Sequence, residues 1–446
     1  MKIRCASLLT AALALSSTTA TAADISLSGF GTLGYAQSDQ SFNYLRSINN
    51  KGTFNRDSVF GVQADAKLTD TIGATVQGKL APSLKRDASW DATVSWAFLS
   101  WRPSNEMLIR LGKQRSPAYL YSESMDVGAT YDFARLPTEV YSLLASTDYI
   151  GGSLSNTWNT GLGELTVDGY LGKMNSHWRF YQRDNYVPPG DMSHPGANNV
   201  PFLFTGGGAV LTLQRGEDRY RTGLHRVTGT TTHPTWRFPS YQKLVPASTL
   251  VPAGIAAFVG GTAYTVLPED FRDNVPTMAA TFGAEIHLPY NFRIAGEYAR
   301  RKAFKTKTGV DTQGAYLSLL KDVGAWTPYI SYAALKSRGD TLSLYQELNA
   351  SSGATDLTGG GGGAALTAAV AAINASQRVI ADGLSVFDQN TVALGTSYRI
   401  TPTQKLKVEW ARTHVGIASS LVDAPAGGDV SNKNIHVFSF SYNVVF

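Results

Sequence analysis

Apolar residues alternate with small or polar ones along most of the chain. The last nine residues show it plainly: Phe438, Phe440, Tyr442, Val444 and Phe446 alternate with Ser439, Ser441 and Asn443, and Val445 is the one departure. A period of two places the two sets on opposite faces of an extended strand. Phe60, Val62, Ala64 and Ala66 alternate in the same way with Gly61, Gln63, Asp65 and Lys67. Phe292, Ile294, Gly296 and Tyr298 oppose Arg293, Ala295, Glu297 and Ala299; Leu406, Val408 and Trp410 oppose Lys405, Lys407 and Glu409. About sixteen such segments can be traced, each about 10–12 residues long, the length with which a tilted strand crosses a hydrocarbon layer. They begin near Ile25, Asp57, Ile72, Ala92, Glu106, Asp148, Leu165, Gly207, Asp218, Thr277, Phe292, Asp311, Trp326, Asn390, Gln404 and Asn434.

The polar faces of these segments carry full charges. An Arg or Lys turned to lipid at mid-bilayer costs about 2–4 kcal/mol, and the inner face of a small soluble sandwich would be equally hostile. Those faces must therefore look at water. The fold expected is all-β: a transmembrane antiparallel barrel of about 16 strands around a wet lumen. Connection lengths agree, because short links (69–71, 103–105, 160–164, 216–217, 289–291, 322–325, 401–403) alternate with long ones (37–56, 116–147, 175–206, 229–276, 337–389, 414–433). Short periplasmic turns and long extracellular loops produce that pattern. Segments 254–259 and 262–267, split by Gly260-Gly261, read as an extra hairpin that would raise the count to 18. Leu366, Val370, Ile373 and Val379 are spaced for a helix over 364–382, after the glycine run 359–363. It is expected as one helix in an outer loop, or as a lid or partner contact. Trp96, Trp101, Tyr149, Trp158, Tyr290, Tyr298, Trp326, Tyr398, Trp410, Tyr442 and Phe446 fall near strand ends. They read as interfacial girdles or as the ordinary preference of strands for aromatics.

The composition, with 43 Gly, 21 Tyr, 19 Phe and only 16% charged residues, suits strands and turns. Residues 1–23 read as an export leader: Lys2 and Arg4, an apolar stretch from Ala6 to Leu15 too short to span a bilayer, then Ala20-Thr21-Ala22 as the cleavage site. Residues 24–446 then form the barrel. The leader holds the only cysteine, Cys5, so the mature chain has no disulfide and no thiolate metal site. The formal charge of +5 drops to +3 without Lys2 and Arg4, too little to imply nucleic acid. No run of 18 apolar residues follows the leader, so no membrane-crossing helix is expected.

The segments Ile25 to Thr32 (ISLSGFGT), Arg56 to Gln63 (RDSVFGVQ) and Leu111 to Arg115 (LGKQR), together with the terminal aromatic strand, resemble the Gram-negative outer-membrane porins. The resemblance covers the mature chain as a pattern. It implies a sixteen-stranded barrel, usually a homotrimer, open to small hydrophilic solutes. It also implies a terminal Phe read by the barrel-assembly machinery, a surround of outer-membrane lipid and lipopolysaccharide, and a third outer loop folded into the lumen. Here that loop is 116–147. A PEFGG-type motif found in some porin constriction loops is absent.

A porin performs no bond chemistry, so its selectivity comes from the charges at its narrowest point. The third loop offers Glu123, Asp126, Asp132 and Glu139, with Arg135; the wall offers Lys79, Arg110, Arg219, Arg221, Arg293 and Arg301 on lumen-facing positions. Loop acids opposite wall bases would set a field across the pore. The excess of wall bases hints at a preference for anions, unless the loop acids cancel it. No enzyme, cofactor or metal is expected: the seven histidines show no ligand spacing, and the glycine run lacks the lysine of a phosphate loop. The readings carried forward are a passive porin, a substrate-specific channel for a small acid, sugar or peptide, and, from a different class, an adhesin or outer-membrane enzyme. An energised transporter is not expected, because no plug segment stands ahead of the first strand.

Overall fold

A computed structural model describes residues 24–144, 147–185, 194–234, 236–355 and 363–446. The expected leader, 1–23, lies outside the described residues. Sixteen antiparallel strands close into one barrel, each bonded to its neighbours in sequence. They are β1 (Asp24–Ser38), β2 (Val59–Lys67), β3 (Ile72–Pro82), β4 (Trp90–Trp101), β5 (Met107–Arg115), β6 (Asp148–Thr160), β7 (Gly163–Gln182) and β8 (Gly196–Arg215). The second half is β9 (Asp218–Thr231), β10 (Asn274–Leu288), β11 (Phe292–Ala303), β12 (Asp311–Lys321), β13 (Trp326–Ser337), β14 (Phe387–Thr401), β15 (Gln404–Ser419) and β16 (Lys433–Val445). Outer loops L1–L8 are 39–58, 83–89, 116–147, 183–195, 232–273, 304–310, 338–386 and 420–432.

Hydrocarbon offers no partner for a backbone N–H or C=O, so the sheet must close. It does so between the chain ends. β1 pairs with β16 from Phe30↔Val445 to Ser38↔Val437, and Gly29 and Phe446 exchange both backbone hydrogen bonds, at 2.8 and 3.0 Å. Gly29 also makes room for the terminal ring, because a Cβ there would lie 2.4 Å from Phe446 Cζ.

The alternation sorts as the sequence predicts. Phe60, Val62, Leu99, Leu154, Phe282, Ile330, Tyr332, Leu394, Trp410, Phe438 and Phe440 are exposed on the outer face, where lipid would lie. Ser318, Ser331, Ser397, Ser439, Ser441 and Asn443 are buried on the inner face. Two of the aromatics expected in the girdles face inward instead. Trp96 shares the inward side with its partner Gln77, and Tyr149 is buried against Tyr170, ring centroids 4.9 Å apart.

The loops bring the larger corrections. The expected loop 175–206 is mostly strand: β7 and β8 run 20 residues each, far more than a bilayer needs at about 3.3 Å per residue. From Met174 onward β7 pairs only with β8, and beyond the last β8–β9 pair, Phe202↔Thr231, the two strands form a two-stranded ribbon past the barrel rim. Trp178, Phe202 and Phe204 in the ribbon pack with Trp236 and Phe238 of L5, which supplies the burial a lone ribbon lacks. The candidate hairpin around Gly260-Gly261 is one strand, Val259–Thr265, paired with Lys243–Pro246 and Gly353–Thr355 in a sheet outside the barrel. The barrel therefore has 16 strands, not 18. The expected helix is present as Gly363–Asp382, with Leu366, Val370, Ile373 and Val379 on its buried side. It is long and apolar enough to cross a bilayer, yet it packs on the loop sheet against Ala247, Val259 and Ala263.

Ile330→Arg, on the outer face, is expected to destabilise the barrel by about 2–4 kcal/mol, whereas Gln63→Arg, facing the lumen, should be near neutral. Urea unfolding in liposomes separates the two.

Candidate solute passage

L3 leaves β5 and turns into the barrel. Arg115 pins the turn, donating to Asp148 at 3.0 Å and Asp126 at 2.6 Å. Ser116 Oγ donates to the Tyr170 hydroxyl at 3.0 Å, itself 2.8 Å from His225 Nδ1. The loop then crosses to the far wall. Tyr119, Leu120, Tyr121, Phe133 and Val140 are buried against Ala295, Ala299, Tyr316, Tyr329, Ala333 and Leu335 on the inner faces of β11–β13. The inward faces of these strands thus carry an apolar patch among polar residues such as Glu297, Ser318 and Ser331. β13 reads WTPYISYAALKS, apolar on both faces, the signature of a strand covered on both sides.

The charged groups form the anchors of this crossing. Asp126 receives Lys79 of β3 at 2.8 Å as well as Arg115. Asp132 receives Lys405 at 2.8 Å, the Ser397 hydroxyl at 2.8 Å, and Arg293. Arg135 donates through Nε to Asp57 of L1 at 2.8 Å. Glu139 accepts from Gln389 at 2.8 Å and Thr391 at 2.5 Å. On the wall, Glu285 accepts from Tyr121 at 3.0 Å, Arg293 at 2.8 Å and Arg219 at 3.1 Å. Arg221 donates to the Tyr119 carbonyl at 2.6 Å.

Several residues that hold L3 were not anticipated from the sequence. Glu297 accepts from Leu120 N–H (2.8 Å), Tyr141 (2.6 Å) and Tyr316 (2.9 Å). Lys407, buried, donates to the Phe133 carbonyl at 2.8 Å and sits 3.8 Å from the centre of the Tyr131 ring. Alternation marks Glu297 and Lys407 as inward, but nothing in one sequence pairs either with a loop far away along the chain.

Burial by itself would push the Asp126 and Asp132 carboxyls up. Arg115 and Lys79 beside the first, and Lys405 and Arg293 beside the second, outweigh it and hold both below the usual carboxylate range.

Of the eleven charged positions expected at the pore, Glu123 is the loop acid left exposed. Among the described residues no carboxylate pairs with Arg110, Arg221 or Arg301, whereas Lys79, Arg135, Arg219 and Arg293 are held in ion pairs. With L3 packed against β11–β15, the open side of the lumen faces β2–β7, where Gln63, Asp65, Lys79, Arg110 and Asp168 are half-buried. Glu123, Arg221 and Arg110 all lie within electrostatic reach of Asp168. Below the tip of L3 a space of about 450 Å³ opens between Ser28, Phe30, Gln63, Gln77, Trp96 and Val127.

A second set of ion pairs ties the outer mouth. Arg179 on the ribbon donates to Asp87 of L2 at 2.5–3.1 Å and to Asp423 of L8 at 2.8 and 2.9 Å. Arg183 donates to Asp382 at 2.7 Å and to the Tyr345 hydroxyl at 2.9 Å, both in L7. β7 and β15 stand half a barrel apart, so the ribbon and these loops meet across the mouth.

Three outcomes follow. Asp132→Asn leaves Lys405 without a carboxylate and Arg293 with Glu285 alone; it is expected to cost about 3 kcal/mol, the lower end for a buried pair, and to expose 116–147 to protease. Because the Asp126 and Asp132 carboxyls are depressed in the fold, their contribution is complete above the ordinary Asp value of about 4 and declines only below it. Protease resistance of L3 should therefore hold from pH 7 to about 4 and fail in more acid solution. Arg179→Gln should speed amide exchange in 174–182 more than about tenfold while the barrel strands are unaffected.

No family profile and no curated protein matches the chain. Solved structures do. In-vitro folded OmpT, an outer membrane protein of Vibrio cholerae, is 10% identical, covering 96% of this chain and 100% of that one with a TM-score of 0.50. The outer membrane channel DcaP of Acinetobacter baumannii is 12% identical over 94% and 97% of the two chains, with a TM-score of 0.47. An anion-selective porin from Comamonas acidovorans is 11% identical over 95% and 100%, also at 0.47. At such identities the likeness concerns the fold alone. That fold is the closed, sixteen-strand antiparallel barrel described above, and the chain is accordingly one with a Gram-negative porin-type fold.

Proposed function

We propose that this chain is an outer-membrane porin, a water-filled channel for passive diffusion of small hydrophilic solutes. The observation that carries the reading is the reversal of polarity across the wall. Phe, Leu, Ile and Trp side chains cover the outside, while charged groups and a folded-in loop occupy the inside. A barrel in lipid needs that arrangement, and only a wet lumen accommodates the charges. Residues 1–23 serve as the export leader. The Phe446 strand is the segment offered to the assembly machinery, lipopolysaccharide and lipid surround the wall, and the working unit is a homotrimer. Selectivity is set by Glu123 and Asp168 against Arg110, Arg221 and Arg301, none of which forms an ion pair among the described residues. A narrower reading, a channel for one class of solute, is favoured by how much of the lumen L3 fills.

Planar bilayers test both. A large steady current indifferent to added solutes fits the passive porin; a small one blocked by a particular solute fits the specific channel. Liposomes that stay impermeable would sink both. Glu123→Gln is expected to move the reversal potential in a salt gradient toward greater anion selectivity, with conductance altered less than about twofold.

A further inference from the structure

We propose that the inner wall of β4 and β5 carries a binding subsite for planar aromatic carboxylates, formed by Trp96, Phe98 and Arg110; it deepens the channel reading above and rests on it. The site originates in an irregularity. β4 changes register against β3 between Gln77 and Gly78, which skips Ser95, and the Ser95 hydroxyl donates to Gln77 Oε1 at 2.7 Å. Beyond this bulge Trp96 lies opposite Gln77 and Phe98 opposite Thr75. Both partners point into the lumen: Gln77 donates to Gln63 at 2.8 Å and Thr75 to Asp65 at 2.6 Å. On the other side Phe98 faces Gly112, which has no side chain to cover it. Trp96 and Phe98 sit 6.2 Å apart, centre to centre, and the Arg110 guanidinium lies 5.3 Å from the Phe98 centroid. Indole, phenyl and guanidinium thus form one continuous strip.

Two features of the strip are unexplained by packing. Large rings on the wet side of a membrane barrel forgo contact with lipid, and each exposed ring surface there costs hydration free energy. Other inward aromatics escape this: Tyr316 and Tyr329 lie under L3, and Tyr149 and Tyr170 cover one another. Trp96 and Phe98 are only half-buried. Trp96 Nε1 and Arg110 Nε, moreover, are buried with no hydrogen-bond partner among the described residues, and no carboxylate of the described residues pairs with Arg110, although Asp168 lies within its electrostatic reach.

A guanidinium stacked on a ring keeps its donors in plane and available for a carboxylate. The rings offer a flat face for stacking. A one-ring aromatic acid satisfies both at once. A sugar would stack on the rings and leave the cation unused; a short aliphatic acid would engage the cation and leave the rings wet. The space of about 450 Å³ lined by Trp96, Phe30, Gln63 and Val127 adjoins the strip at Trp96, without reaching Phe98 or Arg110, and leaves room beside the indole for a small ligand.

Benzoate is the probe, with acetate and benzyl alcohol as the charge-only and ring-only controls. In bilayers, benzoate is expected to interrupt the current at concentrations about tenfold below those needed of either control. Trp96→Ala and Arg110→Gln should each weaken the block about tenfold, as for loss of one charge-assisted bond or one stacked ring, while Trp158→Ala on the outer face leaves it unchanged. Calorimetric titration of benzoate into the detergent-solubilised protein is run in parallel. Binding that Arg110→Gln weakens, in a protein that passes no current, would support the subsite and sink the channel reading alone. The subsite is overturned if benzoate acts no better than acetate, or if the Trp96 and Arg110 variants bind it as the parent does.

Discussion

Closure of the sheet is the constraint on which everything else depends. In hydrocarbon an unpaired backbone group has nothing to bond to, so no strand can be left at an edge. The Gly29–Phe446 and Leu33↔Tyr442 pairings remove the last edge. Once the ring is shut, inside and outside are defined, and every side chain is assigned to lipid or to the lumen by its parity along the strand. A glycine at 29 serves that closure directly, since any larger residue would displace the terminal ring.

A closed ring of sixteen strands is wide, and its width is what L3 answers. The loop crosses the interior and is held by two kinds of contact. An apolar patch on β11–β13 receives its tyrosines and phenylalanine, and a circuit of ion pairs fastens its two flanks, Asp126 near β3 and Asp132 near β11 and β15. Asp126 and Asp132, costly if buried alone, are tolerated because each meets two basic side chains, while Glu139, Glu297 and Lys407 are held by hydrogen bonds to neutral groups. Two of the four loop acids, Asp126 and Asp132, are neutralised by basic groups of the wall. Glu123, Asp168, Arg110, Arg221 and Arg301 form no ion pair among the described residues.

The outer mouth follows the same logic farther from the membrane. The β7–β8 ribbon is too long for the bilayer and too narrow to stand alone. It is stabilised by the aromatic cluster with L5 and by Arg179 and Arg183, which bond to L2, L7 and L8. Loops from opposite sides of the ring are thereby joined above the lumen.

Strand positions, the parity of Phe438 to Phe446, and the identity of the inward charges were legible in the sequence, because a period of two and the cost of charge in lipid are local properties. The helix at 363–382 was legible for the same reason. What the tertiary structure decided is whatever depends on distance along the chain. It separated the strand at 259–265 from the barrel by giving it a different partner. It turned 175–182 and 196–206 of the expected loop into paired strands packed on L5. It also reversed Trp96 through a one-residue bulge, since one skipped residue exchanges the two faces. Parity put the wall bases on lumen-facing positions, but which charges cancel one another was settled only when L3 crossed the lumen and brought Asp126 to Lys79 and Asp132 to Arg293. Parity places a charge on a face; only the fold brings it a partner.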